Sequence, residues 1–328
     1  MSSPHRESRE RPSAALMAIS TAERRRAHVI VNPYATTVSE RLRDLVVTAL
    51  ASRYDVEASQ TTHRGHATEL AMTAASGGCD VVVAFGGDGT VNEVANGLAG
   101  SETPLAPLPG GSANVFCKLL GVPADIVDAT EHLLALADRW EPRQVDLAFV
   151  AGRHYTFSAG IGIDATVVRQ VDAHPALKRR FGPKFFLASA LWTLPRHYLH
   201  DPPRIVVSVG AQRIAAVTAI IQNAEHYTYW GEHPIDMAAG ASLSSGTLSG
   251  LALHRADIRD LPSLLRRGLA GAGRVSAHRQ VSSFTSAGEV SLESTDGRPI
   301  PLQLDGDYIG EVTQALFSVR PRALTVIA

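Results

Sequence analysis

The chain of 328 residues has only two cysteines, Cys79 and Cys117, and neither has a second Cys or a His at metal-ligand spacing. That scarcity excludes a disulfide-stapled scaffold and a zinc site, and it fits a reducing compartment. Long hydrophobic runs are also missing. The charge-free apolar stretch at residues 185–194 falls well short of the roughly 20 residues a spanning helix needs, so no transmembrane helix is expected. Net charge is almost absent, because 31 Lys and Arg face 32 Asp and Glu. No whole-chain field therefore recruits nucleic acid, and any basic surface has to be local. Arg6, Glu7, Arg9, Glu10 and Arg11 precede a short apolar run, too short and too acidic for a secretory signal. The chain also lacks GxxxxGK[ST], a GxGxxG opening a βαβ unit, and the HRD and DFG kinase signatures, so no standard nucleotide fingerprint applies.

Apolar residues make up 45% of the chain, enough at this length for two cores. Residues 1–26 carry six Arg against three Glu without apolar periodicity and read as a disordered arm. From residue 28 a strand, a helix from about Thr37, a strand near 54–58, a helix over about 65–75, a strand over 80–85 and another helix follow in turn. Thr37 with Glu40, and Thr90 with Glu93, have the spacing of capping boxes. Alternation at this period predicts right-handed crossovers and a mostly parallel, doubly wound sheet. After Arg139 strand-like runs crowd together at 144–150, 204–209, 215–222, 249–253, 281–285 and 290–294, and a helical stretch interrupts them at about 175–200. The predicted organisation is an arm (1–26), an α/β domain (27–142) and a β-rich domain (143–328).

The strongest chemical signal is the apolar run 81–85 followed by Gly86-Gly87-Asp88-Gly89-Thr90-Val91-Asn92-Glu93. A strand entering glycines and then a helix N-terminus presents free N–H groups to an anion such as phosphate. Asp88 is out of place in a bare phosphate cradle and points to Mg²⁺-nucleotide chemistry. A second turn, Pro109-Gly110-Gly111-Ser112-Ala113-Asn114, also follows an apolar strand. Two such turns on one parallel sheet meet at its carboxyl edge, where ligands bind. Ser112 taken alone reads as a helix cap. Asp164 either orients an acceptor hydroxyl or caps a helix starting at Ala165. The histidines at 132, 154, 197, 200, 226, 233, 254 and 278 show no ligand spacing.

Taken together, these motifs resemble the diacylglycerol kinase catalytic-domain family, particularly its soluble bacterial lipid kinases, with sphingosine kinases and NAD kinases as more distant relations. The carrying stretches are Val31-Asn32-Pro33, Thr62 with His66-Ala67, the two glycine turns, Gly160-Ile161-Gly162-Ile163-Asp164-Ala165 and Leu304-Asp305-Gly306-Asp307. The resemblance implies an N-terminal nucleotide domain, a C-terminal β-sandwich domain carrying the lipid site, and ATP in the cleft between them. It places nucleotide at Asn32, Pro33, Tyr34, Ala35, Thr36, Thr62, Gly87, Asp88, Gly89, Thr90, Val91, Asn92, Glu93 and Ser112, with Asp88 beside the phosphates and Mg²⁺. Asp307 stands where the family has the Glu of DGE that takes the acceptor's proton, and Asp88 is its rival for that role. Where bacterial members have DG-x-L-D for a structural Mg²⁺, this chain reads Ser245-Gly246-Thr247-Leu248-Ser249, which puts that metal in doubt.

Residues 174–204 hold six Lys and Arg against one Asp, interleaved with aromatics. Lys178, Arg179, Arg180, Lys184 and Phe185 suit an anionic membrane interface, and a core helix with a solvated basic face is the other reading. The expected activity is ATP-dependent phosphorylation of diacylglycerol or a similar lipid at the inner face of the cytoplasmic membrane, by a cytoplasmic protein held there peripherally. Its alternatives are a kinase of a sphingoid base, another glycerolipid or a soluble acceptor, and a non-catalytic nucleotide-gated membrane module. The expected partners are ATP and lipid, with a homodimer left open and no nucleic acid.

Overall fold

The computed structural model describes residues 24–174, 203–257, 259–269 and 274–328, with Leu177 and Ser189. Strands β1 (Arg26–Val31), β2 (Asp55–Gln60), β3 (Val81–Gly86) and β4 (Leu105–Pro109) lie parallel in the order β2-β1-β3-β4. Every residue of β3 and β4 is buried, as continuous apolar runs require when both faces of a parallel sheet are covered. Helices α1 (Glu40–Leu50), α2 (His66–Ser76), α3 (Asp88–Leu98), α4 (Val115–Leu120) and α5 (Ile126–Leu136) complete this half.

The second half contains β5 (Arg143–Val150), β6 (Arg153–Tyr155), β7 (Ser158–Gly162), α6 (Ile163–Asp172), β8 (Ile205–Val209), β9 (Gln212–Ala216), β10 (Thr218–Gln222), β11 (Thr228–Trp230), β12 (His233–Ile235), β13 (Leu248–Leu253), α7 (Leu261–Leu269), β14 (Val281–Ala287), β15 (Glu289–Ser294), β16 (Ile300–Leu304), β17 (Asp307–Val312) and β18 (Gln314–Val326). Six of these strands form an antiparallel sheet in the order β14-β13-β10-β7-β16-β17. Its apolar face meets the antiparallel end of the first sheet across one core, where Ile161, Ile221 and Leu304 pack with Val207, Leu292 and Phe317. The expected class therefore holds, a mostly parallel α/β unit followed by an antiparallel β sandwich.

The long strand β18 joins the halves. Its start pairs antiparallel with β15, its end runs parallel to β4 at Val326 and Leu105, and β5 lies along it. The pairing with β5 breaks between Arg320 and Leu324, where Arg322 adopts φ 53°. The run predicted at 215–222 is two strands, β9 and β10, which lie in different sheets. The chain passes between the sheets again at Asp296-Gly297, because β15 and β16 belong to different ones.

Both predicted capping boxes are corrected. Helix α1 starts later than Thr37, and Ser39 caps it by accepting from Leu42 N–H. Thr37 N–H is instead bonded to Gly110 O at 3.0 Å. Helix α3 starts at Asp88, which places Thr90 inside it, and Glu93 turns to a neighbouring helix. The helical stretch expected at about 175–200 lies outside the described residues apart from Leu177 and Ser189.

Candidate active site

Three loops meet at the carboxyl edge of the parallel strands. The loop after β1 is tied to β3 by Asn32 N–H to Phe85 O at 3.0 Å. The Asn32 amide also donates to Thr90 Oγ1 at 2.9 Å. The two glycine turns touch backbone to backbone, with Gly110 N–H donating to Gly86 O at 2.8 Å. A Cβ on Gly110 would stand 2.9 Å from Gly86 Cα, and one on Gly111 would stand 2.7 Å from Gly87 Cα. The glycines thus serve each other's approach before they serve any ligand. Gly111→Ala should force the turns apart, costing about 1–3 kcal/mol of stability and weakening ATP binding. Urea unfolding and calorimetric ATP titration check both effects.

Around these turns the sequence-derived residues part company. Pro33, Tyr34, Thr36 and Ser112 are exposed, Tyr34 at 72%, while Ala35, Gly87 and Gly89 are partly exposed. Thr62 is also exposed, and its Oγ1 lies 3.0 Å from His63 Nδ1 and 3.1 Å from His66 Nδ1. Ser112 does not cap the following helix. Asn114, in the left-handed region, precedes α4 and closes a reciprocal pair with the Gly111 backbone. Val91 is buried in the core. Glu93 accepts from Gly65 N–H at 2.8 Å and Ala67 N–H at 3.2 Å, so it caps α2. Asn92 is buried, donating to Asp305 Oδ2 at 2.8 Å and receiving Arg153 at 3.1 Å. Val91, Asn92 and Glu93 therefore tie α3 to its neighbours.

The hairpin between β16 and β17 brings the second half to this edge. Asp305, at its turn with φ 50°, is buried. It accepts from Thr156 N–H (2.7 Å), Thr156 Oγ1 (2.8 Å), Phe157 N–H (3.0 Å), Ser158 N–H (3.1 Å) and the Asn92 amide. Burial raises the Asp305 carboxyl above the usual carboxylate range, against the pull of these donors. Two residues on, the Asp307 carboxylate lies directly over Gly89 in the first turn of α3, where any β-carbon would collide with it. Arg64 fastens the contact by donating to Tyr308 O at 2.8 Å from the loop before α2.

Asp88 opens α3 and accepts from Phe116 N–H at 3.1 Å, joining the first glycine turn to the helix after the second. The residue keeps some exposure, but its carboxyl group lies inside the protein. Burial pushes that carboxyl up to about 6, reinforced by Asp305 and Asp307 and opposed by the N–H groups of Phe116 and Val115. A carboxyl raised in the fold favours folding below its unfolded pKa and loses that contribution as pH climbs through its folded value. The stability owed to Asp88 should therefore fall between pH 3.8 and about 6, by about 2–3 kcal/mol. Urea unfolding of the nucleotide-free protein against Asp88→Asn over that window measures the difference.

Asp164 lies in the first turn of α6 and accepts from Tyr227 Oη at 2.5 Å and Gln303 Nε2 at 2.7 Å. Burial raises its carboxyl as well. Neither Tyr227, Gln303, Arg64 nor Arg153 was singled out from the sequence, because nothing local marks residues that act across the fold. Asp305 had a signal, its place in the same Leu-Asp-Gly-Asp stretch as Asp307.

Comparison with known proteins places this arrangement. The diacylglycerol kinase catalytic domain matches residues 26–148, which include the loop after β1 and both glycine turns. The chain is 25% identical over 291 residues to the diacylglycerol kinase of Bacillus subtilis, covering 87% of this chain and 91% of that protein. It is 26% identical over 296 residues to the diacylglycerol kinase of Staphylococcus saprophyticus, covering 88% and 91%. The chain is thus similar to the diacylglycerol kinase catalytic domain family over residues 26–148 and to diacylglycerol kinases over most of its length. Proteins of that family are ATP-using lipid kinases, and the similarity marks this chain as a kinase. A crystal structure of a putative diacylglycerol kinase from Bacillus anthracis shares the fold, with a TM-score of 0.73 at 24% identity over 92% of this chain and 94% of that one.

At the Ser245–Ser249 stretch the Asp146 carboxylate meets backbone, accepting from Gly246 N–H at 2.7 Å and Arg322 N–H at 2.8 Å. The expected membrane-contact residues Lys178, Arg179, Arg180, Lys184 and Phe185 lie outside the described residues. Among the described residues no helix is long and apolar enough to cross a membrane.

Proposed function

We propose that this kinase transfers the γ-phosphoryl group of Mg-ATP to the hydroxyl of diacylglycerol or a similar lipid, giving phosphatidic acid. The observation that carries the reading is the seating of Asp307 on Gly89. A carboxylate from the β-sandwich half there abuts the helix that begins in the nucleotide turn. ATP lies along the glycine turns and the loop after β1, with Ser112 and Thr62 at its margins. Asp307 takes the proton of the acceptor hydroxyl, the freed oxygen bonds to the γ-phosphorus, and the bond from that phosphorus to the bridging oxygen breaks to release ADP. An Asp where relatives have Glu needs closer approach, and the missing side chain at Gly89 allows it.

The carboxyl groups of Asp88, Asp305 and Asp307 repel one another enough to help raise Asp88, and a cation brought with the nucleotide would relieve that repulsion. Asp88 is the residue that would face the Mg²⁺ of Mg-ATP, since Asp305 is committed to its five donors and Asp307 takes the acceptor's proton. That ion neutralises charge on the β- and γ-phosphate oxygens. The acceptor lies towards Asp164. The basic, aromatic segment around Lys178 to Phe185 holds the protein to the inner face of the cytoplasmic membrane.

The test is transfer of labelled γ-phosphate from Mg-ATP to diacylglycerol, monoacylglycerol and sphingosine in anionic mixed micelles, with a lipid-free control. Label on diacylglycerol supports the proposal. Label on another lipid alone replaces the acceptor, and no label with ATP binding intact turns the reading to a nucleotide-gated membrane module.

A further inference from the structure

Gln303 has no part in the reading above, yet its side chain joins the acceptor-side carboxylate of Asp164 to the turn before Asp307. The pairing of β16 with β17 slips between Leu302 and Gln303. Such a bulge re-aims the side chain beside it. The Gln303 side chain is 1% exposed and both ends of its amide are used. Nε2 donates to Asp164 Oδ2 at 2.7 Å, and Oε1 accepts from Gly306 N–H at 2.8 Å. The other Asp164 oxygen accepts from Tyr227 Oη. One continuous chain of hydrogen bonds thus runs from Tyr227 through Asp164 and Gln303 to the Gly306 peptide, which directly precedes Asp307. The reversed amide would set oxygen against carboxylate and NH₂ against N–H, so only this orientation satisfies both partners. The space is closed by Gly160, where a β-carbon would collide with the Asp164 carboxylate and stand 2.6 Å from Gln303 Nε2.

We infer that Gln303 is a positioning residue for phosphoryl transfer, whose amide couples the acceptor-side carboxylate of Asp164 to the Gly306 peptide and thereby fixes where Asp307 stands over Gly89. It touches no reacting atom. The inference rests on the proposed role of Asp307 as base. The turn is held at one end by the donors around Asp305 and at the other by Tyr308, whose N–H donates to Asp172 at 3.1 Å and whose carbonyl accepts from Arg64. The Gly306 peptide between those anchors takes its hold from Gln303.

Gln303→Glu tests this selectively, because it keeps the oxygen that receives Gly306 N–H and replaces only the donor facing Asp164. Ionised, the variant sets two carboxylates against each other; singly protonated, it restores a donor between them. The ionisable groups on the elements around it are Asp164, Arg169 and Asp172 of α6, Asp307, Tyr308 and Glu311 of β17, and Tyr227. Arg169 and Glu311 pair with each other. Dividing by the wild-type rate at each pH removes the titration of the groups both proteins share.

The experiment measures kcat, KM for ATP and thermal midpoint for wild type, Gln303→Glu and Gln303→Leu, on whichever lipid of the panel the wild type labels. For Gln303→Glu the expected kcat ratio is about 10- to 100-fold down near pH 8, recovering to within about threefold near pH 6 as the carboxylate pair takes up a proton. KM for ATP should stay within about twofold, and Gln303→Leu, which has no donor to regain, should stay low at both pH values. A Gln303→Glu ratio that is flat with pH, or kcat and ATP binding lost together, overturns the inference. A wild type that labels no lipid overturns the functional reading and the inference with it; an active wild type with a flat ratio overturns the inference alone.

Discussion

Asp307→Asn should lower lipid phosphorylation by about 10²–10⁴-fold, the range general-base catalysis contributes, while ATP binds as before. Asn has nearly the size of Asp, so the fit over Gly89 is kept, and Asn cannot take up the acceptor's proton. Asp88→Asn should behave differently. Asn keeps an oxygen for Phe116 N–H, but it removes the negative charge beside the glycine turns that would face Mg²⁺, which should weaken Mg-ATP binding together with turnover. The comparison separates the two candidate bases. Near-wild-type turnover in Asp307→Asn, beside a collapse of kcat with unchanged KM for ATP in Asp88→Asn, would move the base to Asp88. Initial rates at saturating Mg-ATP, with ATP affinity measured calorimetrically on each variant, decide between them.

The alternating half of the fold was legible because each strand and helix there carries its own periodicity, and because glycine turns after buried strands have few structural uses. Their meeting at one edge followed from the parallel sheet alone. Helix starts were less legible. Thr37 and Glu93 have the spacing of local caps, but each bonds across the fold, Thr37 N–H to Gly110 and the Glu93 carboxylate to the start of α2. A capping pattern in sequence cannot show that a tertiary partner competes for the same group. Strand β18 escaped notice because within one sheet its start pairs with β15 and its end with β4, and its register against β5 slips between Arg320 and Leu324, so no single alternation runs along its length. The site divides in the same way. Asp88 and Asp307 were visible as carboxylates in glycine-rich turns, whereas Gln303, Tyr227 and Arg64 draw their importance from contacts 63 to 244 residues away.

The second large effect is expected at Asp305, to which the sequence assigns no role beyond its place in the stretch that holds Asp307. Asp305→Ala should destabilise the protein by about 3–5 kcal/mol, the cost of removing one member of a buried charged network. It strands the N–H groups of Thr156, Phe157 and Ser158, the Thr156 hydroxyl and the Asn92 amide. All five partners are donors, so Asp305→Asn should rescue little: one acceptor oxygen remains, and the new NH₂ group is set against donors already in place. Urea unfolding of both variants measures this, and a loss under about 1 kcal/mol for Asp305→Ala would mean that water replaces the carboxylate. The turn that anchors Asp307 hangs on this network, and Asn92 carries it into α3. Transfer activity should therefore fall in Asp305→Ala even at temperatures where the variant is fully folded. Activity that merely tracked the folded fraction would show that the hairpin holds its place without Asp305, and would leave the Gly306 peptide and Tyr308 as its anchors.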